Sequence, residues 1–280
     1  MTPSRTAQVG LALITALLLI AIYGPIGVTV AGAFLPVKGG IIQSFAPSLT
    51  AFHTLAGDAG LIRSLVITLA VGAVATMASV TLATALALFV TERGGLHARV
   101  VTVIVFLPFV MPPMVTGLAL LIFFRDVGVD RSLLTVTIGH VAIILAIAYR
   151  SIVVRLTDLG RSLIEASLDL GASRAQTFVR VILPNIRSSL LASAVLCFAL
   201  SFDETLVTLL LTGTDSTFPI KLWGMTRLGI TPAANAILAI LLAVTVAASA
   251  LAIQSAGDCS DQPGCGRETV SGALASASTA

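Results

Sequence analysis

Residues 165–184 read EASLDLGASRAQTFVRVILP, a charged stretch that lies between two long apolar runs. Acidic Glu165 and Asp169 are followed by basic Arg174 and Arg180, with a glycine in the middle and Leu-Pro at the end. A polar segment with a regularly spaced apolar side is typical of short helices that lie at a surface. Its role depends on what the runs on either side do.

The composition of the whole chain is that of a membrane protein. Of its 280 residues 57% are hydrophobic and 10% charged, with a mean hydropathy of +1.05 and a net charge of +3. A soluble domain carries about 25% charged residues, and one soluble core of this size cannot bury so much apolar surface. The three cysteines have neither disulfide nor metal-ligand spacing, so no metal site is expected.

Six apolar runs approach or exceed the roughly 20 residues that a helix needs to cross a bilayer. They cover residues 9–34, 64–90, 100–124, 133–149, 188–212 and 234–253. Backbone groups in lipid must pair within their own segment, so each run predicts a helix. The first run could also be a signal peptide, but its length favours a retained helix. The sequence predicts an all-α integral membrane protein with six transmembrane helices within residues 9–254.

The arginines predict the orientation. Six of them lie in the loop of residues 150–187, namely Arg150, Arg155, Arg161, Arg174, Arg180 and Arg187. Basic loops stay in the cytoplasm, so this loop, residues 1–8 and the tail of residues 255–280 are all expected there. The tail is small, polar and without periodicity, which predicts disorder.

Within the basic loop, the pattern predicts a helix, a glycine turn and a second helix. Apolar residues recur from Leu163 to Leu170, and Gly171 can adopt the left-handed conformation that ends a helix. A second helix follows from Ser173, and Pro184 is expected to break it just before the next membrane run. The pattern fits an ordinary cytoplasmic loop or an element that docks on a partner.

A polar stripe runs along the fifth apolar run. It consists of residues three or four apart: Ser193, Cys197, Ser201, Glu204, Thr208 and Thr212. Asp203 lies about 100° from Glu204 on a helix. A carboxylate at membrane depth usually faces a water-filled cavity or a partner. Glu204 and Asp203 therefore line a route for cations, or else they lie at the outer interface or pair with Lys or Arg from another helix.

The third run contains Pro108, Pro112 and Pro113, which predict a kinked helix beside the route or a distortion of packing. In the fourth run, His140 is either a hydrogen-bonding residue between helices or a gate or proton site. Small residues in the second run indicate close helix packing; they are Thr68, Gly72, Thr76, Ser79 and Ala83.

The stretch Glu165-Ala166-Ser167, three residues, Gly171, nine residues, Val-Ile-Leu-Pro resembles the signature of permease subunits of ABC importers. Ser167 and Val181 are conservative departures from it. The resemblance implies a type I ABC importer permease fold whose coupling helix docks on an ATPase. It also implies the residues that couple to the ATPase: Glu165, Ala166, Ser167, Gly171, Ala172 and Pro184.

Further stretches resemble the C-type permease of spermidine/putrescine importers: LPFVMPPMVTG, SFDETLV and FPIKLWGMTRLGITPAANA. This resemblance implies import of a polyamine such as spermidine or putrescine, although related permeases carry aminoalkylphosphonates, opines or amino-acid-like solutes. The acidic pair suits a cation. The expected pathway residues are Ser201, Asp203, Glu204, Thr208, Pro112 and Pro113.

The expected partners also follow from the resemblance. They are two copies of an ABC ATPase that holds ATP and Mg, a second homologous permease, an extracytoplasmic solute-binding protein and the lipid of a bacterial inner membrane, but no nucleic acid. This chain itself is expected to be no enzyme and to hold no cofactor. A phosphate-binding loop needs Gly-Lys-Ser or Gly-Lys-Thr, and neither Lys38 nor Lys221 follows a glycine. A stand-alone secondary transporter, the alternative, needs internal repeats that the sequence does not show.

Overall fold

The computed structural model describes residues 5–35, 37–38, 41–42, 44–228 and 232–260. These residues are helical except for connecting segments and one pair of two-residue strands. In chain order the elements are α1 (Arg5–Phe34), β1 (Val37–Lys38), β2 (Ile41–Ile42), α2 (Thr50–Gly57), α3 (Ala59–Arg93), α4 (Gly95–Val110), α5 (Pro113–Asp126), α6 (Leu133–Leu159), α7 (Arg161–Asp169), α8 (Arg174–Thr177), a π-helical turn (Phe178–Ile182), α9 (Leu183–Asp203), α10 (Leu206–Leu211), α11 (Phe218–Leu228) and α12 (Pro232–Ser260).

The chain divides into two compact units, and the first comprises residues 1–57 and 229–280. Its described part holds α1, the antiparallel pair β1–β2, α2 and α12. Both α1 and α2 pack against α12, and the rings of Phe34 and Phe52 lie 5.3 Å apart. The final helix extends to Ser260. The remainder of the tail that is predicted to be disordered, residues 261–280, lies outside the described residues.

The second unit, Asp58–Leu228, holds α3 to α11. Its helices begin where the sequence supplies caps. Asp58 Oδ1 accepts a hydrogen bond from Leu61 N at 2.9 Å at the start of α3. Ser132 and Thr135 form a capping box at the start of α6. These caps satisfy amide groups that have no partner inside the helix.

All six predicted runs are helical in the described residues, but two of them are interrupted. Within the part of the chain that the structure describes, four helices are long and apolar enough to span a membrane, at 8–34, 59–93, 133–159 and 174–203. The third predicted run is a pair, α4 and α5, that meets at 106°. The sixth contains a shorter apolar helix, Ala233–Ala247. The fifth run stops at Asp203 and resumes as α10.

The core of the second unit lies where α3 packs on α6 and α9. The predicted small-residue face of α3 is buried there, which confirms its role in close helix packing. It meets large side chains of α6, such as Ile144 and Ile152, that are at most 1% exposed. Small residues allow helices to approach each other closely in lipid, where dispersion contacts drive association. This rigid core supports the two segments described next.

Candidate functional site

The insert between α6 and α9 forms the predicted helix, glycine turn and helix. After α7 the chain closes the turn with hydrogen bonds from Gly171 N to Leu168 O at 2.9 Å and from Ala172 N to Ser167 O at 3.2 Å. Gly171 has φ +85°, in the left-handed region that favours glycine. A capping box of Ser173 and Gln176 then starts α8. We call residues 161–182 the insert.

A side-chain hydrogen bond joins the two arms of the insert. Ser167 Oγ lies 3.0 Å from Thr177 Oγ1, and Thr177 is 1% exposed. Ser167, the third residue of the signature, thus has a structural role that the sequence does not reveal. Of the other predicted coupling residues, Glu165, Ala166 and Gly171 are exposed and Ala172 is half-buried. The first residues of the signature, Glu165 and Ala166, are therefore exposed on the surface of the insert.

The apolar side of α7 is also uncovered. Leu163 is 44% exposed, Leu168 39% and Leu170 89%. Beside them a cavity of about 410 Å³ lies between the insert and the end of α3. Arg174 and Glu92 form an ion pair across this cavity, with Nη1 3.3 Å from Oε2. These exposed leucines leave the apolar side of the charged segment free to contact a protein or membrane partner.

The prediction that Pro184 breaks the second helix is wrong. The backbone runs from α8 through the π-helical turn into α9, and Pro184 lies within the first turn of α9. Proline has no amide hydrogen, so an α-helical bond to the carbonyl four residues earlier is impossible. The π turn accommodates this: Leu183 N donates to Phe178 O, and Asn185 Nδ2 donates to Val181 O at 2.8 Å. The insert is thereby joined to α9 without a break.

The fifth run corrects a second prediction, the continuous polar stripe. Helix α9 ends at Asp203, and the extended backbone of Glu204 separates it from α10. Ser193, Cys197 and Ser201 are buried on α9, as predicted for one helix face. Glu204 is off that face, and its Oε1 accepts a hydrogen bond from Val207 N at 3.0 Å. We call residues 203–205 the break.

Asp203 lies at the edge of a groove of about 470 Å³ lined also by Thr205, Pro219 and Trp223. Its side chain is exposed, and among the described residues it takes part in no ion pair. On the same side, the guanidinium carbon of Arg227 lies 4.2 Å from the centre of the Trp223 ring. This cation–π pair was missed, although two such residues four apart on a helix are a readable signal.

His140 makes hydrogen bonds to the helices on both sides of the break. This agrees with the first of its two interpretations, a hydrogen-bonding residue between helices. Its Nδ1 lies 2.7 Å from Ser201 Oγ on α9, and its Nε2 lies 2.7 Å from Thr208 Oγ1 on α10. Ser201 and Thr208, two of the predicted pathway residues, are thus buried rather than open to a cavity. Asp203 is exposed and Glu204 half-buried.

Pro112 and Pro113 are exposed at the 106° bend between α4 and α5. Thr116 Oγ1 donates to Pro108 O at 3.2 Å, which satisfies a carbonyl that the bend frees. Beyond the bend, α5 packs against α10. A Cβ on Gly117 would lie 3.2 Å from Val207 Cα, so this packing depends on glycine. The structure therefore packs together the helices that follow the two interruptions.

The second unit thus has the features of a transport protein: apolar spanning helices, interrupted spans and an exposed polar insert. In the part of the chain that the structure describes, no three His, Cys, Asp or Glu side chains group as a metal site requires. Residues 79–256 match the family of binding-protein-dependent transport system inner membrane components. The chain belongs to that family and is a multi-pass membrane protein.

Curated relatives include polyamine permeases. The chain is 34% identical to the putrescine transport system permease PotI of Escherichia coli K12, over 48% of this chain and 50% of PotI. It is 28% identical to the spermidine/putrescine permease PotC of the same strain, over 60% of this chain and 68% of PotC. A PotC homolog of Mycoplasma pneumoniae is 28% identical over 83% of this chain and 85% of its own length. The chain thus matches half the length of PotI, and its resemblance to C-type permeases is confirmed.

Two solved structures share the fold. One is a bacterial ABC transporter involved in the import of the acidic polysaccharide alginate, with TM-score 0.66 and 15% identity over 91% of this chain and 99% of that one. The other is the inward-facing MetNI methionine ABC transporter, with TM-score 0.53 and 21% identity over 71% of this chain and 93% of that one. The predicted fold of an ABC importer permease is confirmed.

Proposed function

We propose that this chain is the membrane-spanning permease of an ATP-driven importer that moves a small cationic solute, such as a polyamine, into the cytoplasm. The observation that carries the proposal is the insert. Three leucines of the insert are exposed beside the charged signature residues. A short helix is stable only when it is packed, so the free face needs a partner, and a separate ATPase subunit fits it.

Coupling to that ATPase follows from continuity of the backbone. The π turn joins the insert directly to α9, and α9 ends at the break that exposes Asp203. A displacement of the docked insert is therefore transmitted along one rigid helix to the acidic residue. On this proposal the insert lies at the cytoplasmic face, both termini are cytoplasmic, and the break lies nearer the outside. ATP and Mg bind the ATPase, in two copies.

The cationic solute is supported by Asp203 and by the names of the relatives. An exposed carboxylate with no ion pair among the described residues attracts a positive charge. PotI and PotC are named as putrescine and spermidine/putrescine permeases. A second homologous permease would complete the route, and an extracytoplasmic binding protein would deliver the solute. The bend at Pro112 and Pro113, which is packed through α5 on α10, is proposed to line the same route.

A zwitterionic, amino-acid-like solute is the second candidate. Arg227 stacks on Trp223, one of the residues that line the groove with Asp203, so a cation lies beside the groove as well as the carboxylate at its edge. A solute with both charges, such as an opine or an aminoalkylphosphonate, could use both groups. A polyamine would use only the carboxylate and the aromatic ring.

The test is ATP hydrolysis by the complete complex in liposomes, with its binding protein supplied. Putrescine and spermidine are each expected to stimulate hydrolysis more than arginine, an aminoalkylphosphonate or a neutral sugar. Stimulation by the zwitterions alone would support the second candidate, and stimulation by the sugar alone would overturn both. Transport at full rate by the permease in vesicles without any ATPase would refute the importer itself.

Asp203 is tested in the same assay. Asp203→Asn removes the charge but keeps the shape, and it is expected to raise the KM for putrescine about tenfold, because hydrogen bonds to charged groups are worth about 1.5–3 kcal/mol. The matched control is Asp126→Asn, an exposed carboxylate of α5 that pairs with the neighbouring Arg125. An equal KM for both variants would remove Asp203 from the route and leave the ATPase coupling untouched.

A further inference from the structure

The break in the fifth span is held from both sides by one side chain. His140, which is 2% exposed, reaches Ser201 before the break and Thr208 after it, each at 2.7 Å. Ser201 is 1% exposed and Thr208 is completely buried. One imidazole on the uninterrupted helix α6 therefore connects the end of α9 to the start of α10. Buried networks of this kind specify one arrangement when every member is satisfied.

The hydrogen-bond roles in this network follow from counting protons. Thr208 Oγ1 donates its single proton to Glu204 O at 2.8 Å. Thr208 therefore accepts from His140, so that Nε2 carries a hydrogen. In the neutral ring Nδ1 is then an acceptor, and the Ser201 hydroxyl donates to it. The chain of bonds runs from Ser201 through His140 and Thr208 to the backbone of Glu204.

The rest of the break is satisfied locally. Glu204 Oε1 accepts from Val207 N at 3.0 Å, and Thr205 Oγ1 donates to Asp203 O at 3.1 Å. These bonds lie within the fifth run itself, so they could be kept if α10 rotated relative to α9. The two contacts of His140 would be lost in such a rotation, because they hold both helices to α6 next to the break. A further hydrogen bond from α6, Thr135 Oγ1 to Leu211 O at 3.0 Å, holds only the far end of α10.

We propose that His140 is a positioning residue that fixes the angle between α9 and α10 and thereby places the Asp203 carboxylate at its groove. The proposal rests on the proposed function in one respect, the role of Asp203 in binding solute. Its structural part, the control of the break, stands without it. His140 itself does not touch the solute, since it is buried behind the break.

Other polar contacts between α6 and α9 provide matched controls. Ser151 and Ser189 pair at 3.0 Å through their hydroxyl groups, on the same two helices but away from the break. Cys197 Sγ donates to Ile144 O at 3.5 Å one turn before Ser201. Loss of either contact weakens helix packing without freeing α10. A packing role alone for His140 would make its loss resemble theirs.

The first experiment is amide hydrogen exchange on the assembled complex without solute. His140→Leu is expected to speed exchange in residues 204–208 about tenfold, because the break opens when two hydrogen bonds are lost. His140→Gln and Thr208→Ser each keep a hydrogen-bonding group at the substituted position. They should therefore retain part of the protection that His140→Leu loses. Ser189→Ala should leave these amides unchanged. Exchange that rises uniformly along α6 and α9, or equally in Ser189→Ala, would overturn the proposal.

The second experiment is kinetic and uses putrescine as the probe. In His140→Leu and Thr208→Val the KM should rise about fivefold while Vmax stays within about twofold. The rise is smaller than the tenfold expected of Asp203→Asn, because the Asp203 carboxylate is displaced but not removed. If His140→Leu does not accumulate, Thr208→Val and His140→Gln carry both measurements. Faster exchange with an unchanged KM would keep the control of the break by His140 and refute the placement of Asp203 by that control, while Asp203→Asn tests the solute role of Asp203 separately. Unchanged exchange in residues 204–208 would refute the proposal that His140 controls the break, whatever the solute.

Discussion

The insert and the break lie at opposite ends of α9 and are built in opposite ways. In the insert, the signature residue Glu165 and the side chain of Leu170 are exposed at the protein surface. The break is surrounded by buried polar groups that satisfy one another, with only Asp203 open. The insert is thus incomplete without a second protein, while the shape of the break is determined inside this chain. Changes at the insert should leave folding intact and weaken coupling to the ATPase. Changes near the break should lower the stability of the permease and leave that coupling intact.

The largest effect is expected at the turn of the insert. Gly171→Val places a β-branched residue at φ +85°, which costs about 1–2 kcal/mol and reshapes the turn. We expect solute-stimulated ATP hydrolysis to fall at least about tenfold while the amount of permease in the membrane stays normal. Gly128→Val is the control, because Gly128 has φ +76° and similar open space, but lies after α5.

Gly128→Val should keep its coupling to the ATPase. If both glycine variants reduce permease levels equally, the turn of the insert matters for folding and the contrast with the break disappears. Copurification of the ATPase with the permease separates the two cases, since Gly171→Val is expected to lose the ATPase and Gly128→Val to retain it.

The next effect concerns folding near the break. Gly117→Val would place Cβ 2.9 Å from Leu210 Cδ1 and 3.2 Å from Val207 Cα, so α5 and α10 must separate. Overpacking of this kind costs about 1–3 kcal/mol. We expect a lower melting temperature of the detergent-solubilised complex and less protein in the membrane. Gly27→Val on α1, where nothing lies within 4 Å, should leave both unchanged. Normal stability of Gly117→Val would show that α10 can move away from α5.

The sequence predicts the insert better than the break, for a physical reason. The turn at Gly171 and the caps of α8 depend on residues a few positions apart, so local chemistry identifies them. The sequence around the break at Glu204 contains neither proline nor glycine, the residues that usually indicate the end of a helix. The stretch Ser-Phe-Asp-Glu-Thr is therefore also compatible with a continuous helix. It is stabilised by His140, some sixty residues away in sequence, a contact that no local pattern contains.

Pro184 shows the same limit at the other end of α9. A proline after a short helix predicts a break, because local rules count only the missing amide hydrogen. The structure supplies a π turn and the Asn185 side chain, and the helix continues. Local rules therefore identify the position at which an α-helical hydrogen bond is lost, but not how the structure continues the helix past it. The apolar runs themselves were predicted well, since lipid leaves the backbone no alternative to helices there.

A smaller effect is expected when that π turn is allowed to relax. Pro184→Ala restores an amide hydrogen, which favours a regular α-helix and shifts the insert by one residue, about 100° around α9. Coupled hydrolysis should fall about threefold, less than in Gly171→Val, because the insert itself stays folded. Pro25→Ala, in the middle of α1, is the control and should not change coupling. Unchanged coupling in Pro184→Ala would mean that the π turn does not set the direction of the insert.

The smallest effect is expected at the ion pair between the insert and α3. The Arg174 side chain is 82% exposed and the Glu92 side chain 61%, so water screens the pair and its contribution is about 0.2–1 kcal/mol. Arg174→Gln should lower coupled hydrolysis by less than about twofold at physiological salt, and Arg125→Gln, from the exposed pair on α5, should match it in stability. A loss as large as that of Gly171→Val, with normal stability, would instead mean that Arg174 contacts the ATPase directly. The insert would then dock through its second arm as well as through the exposed face of α7, and the contrast with the self-contained break would become sharper.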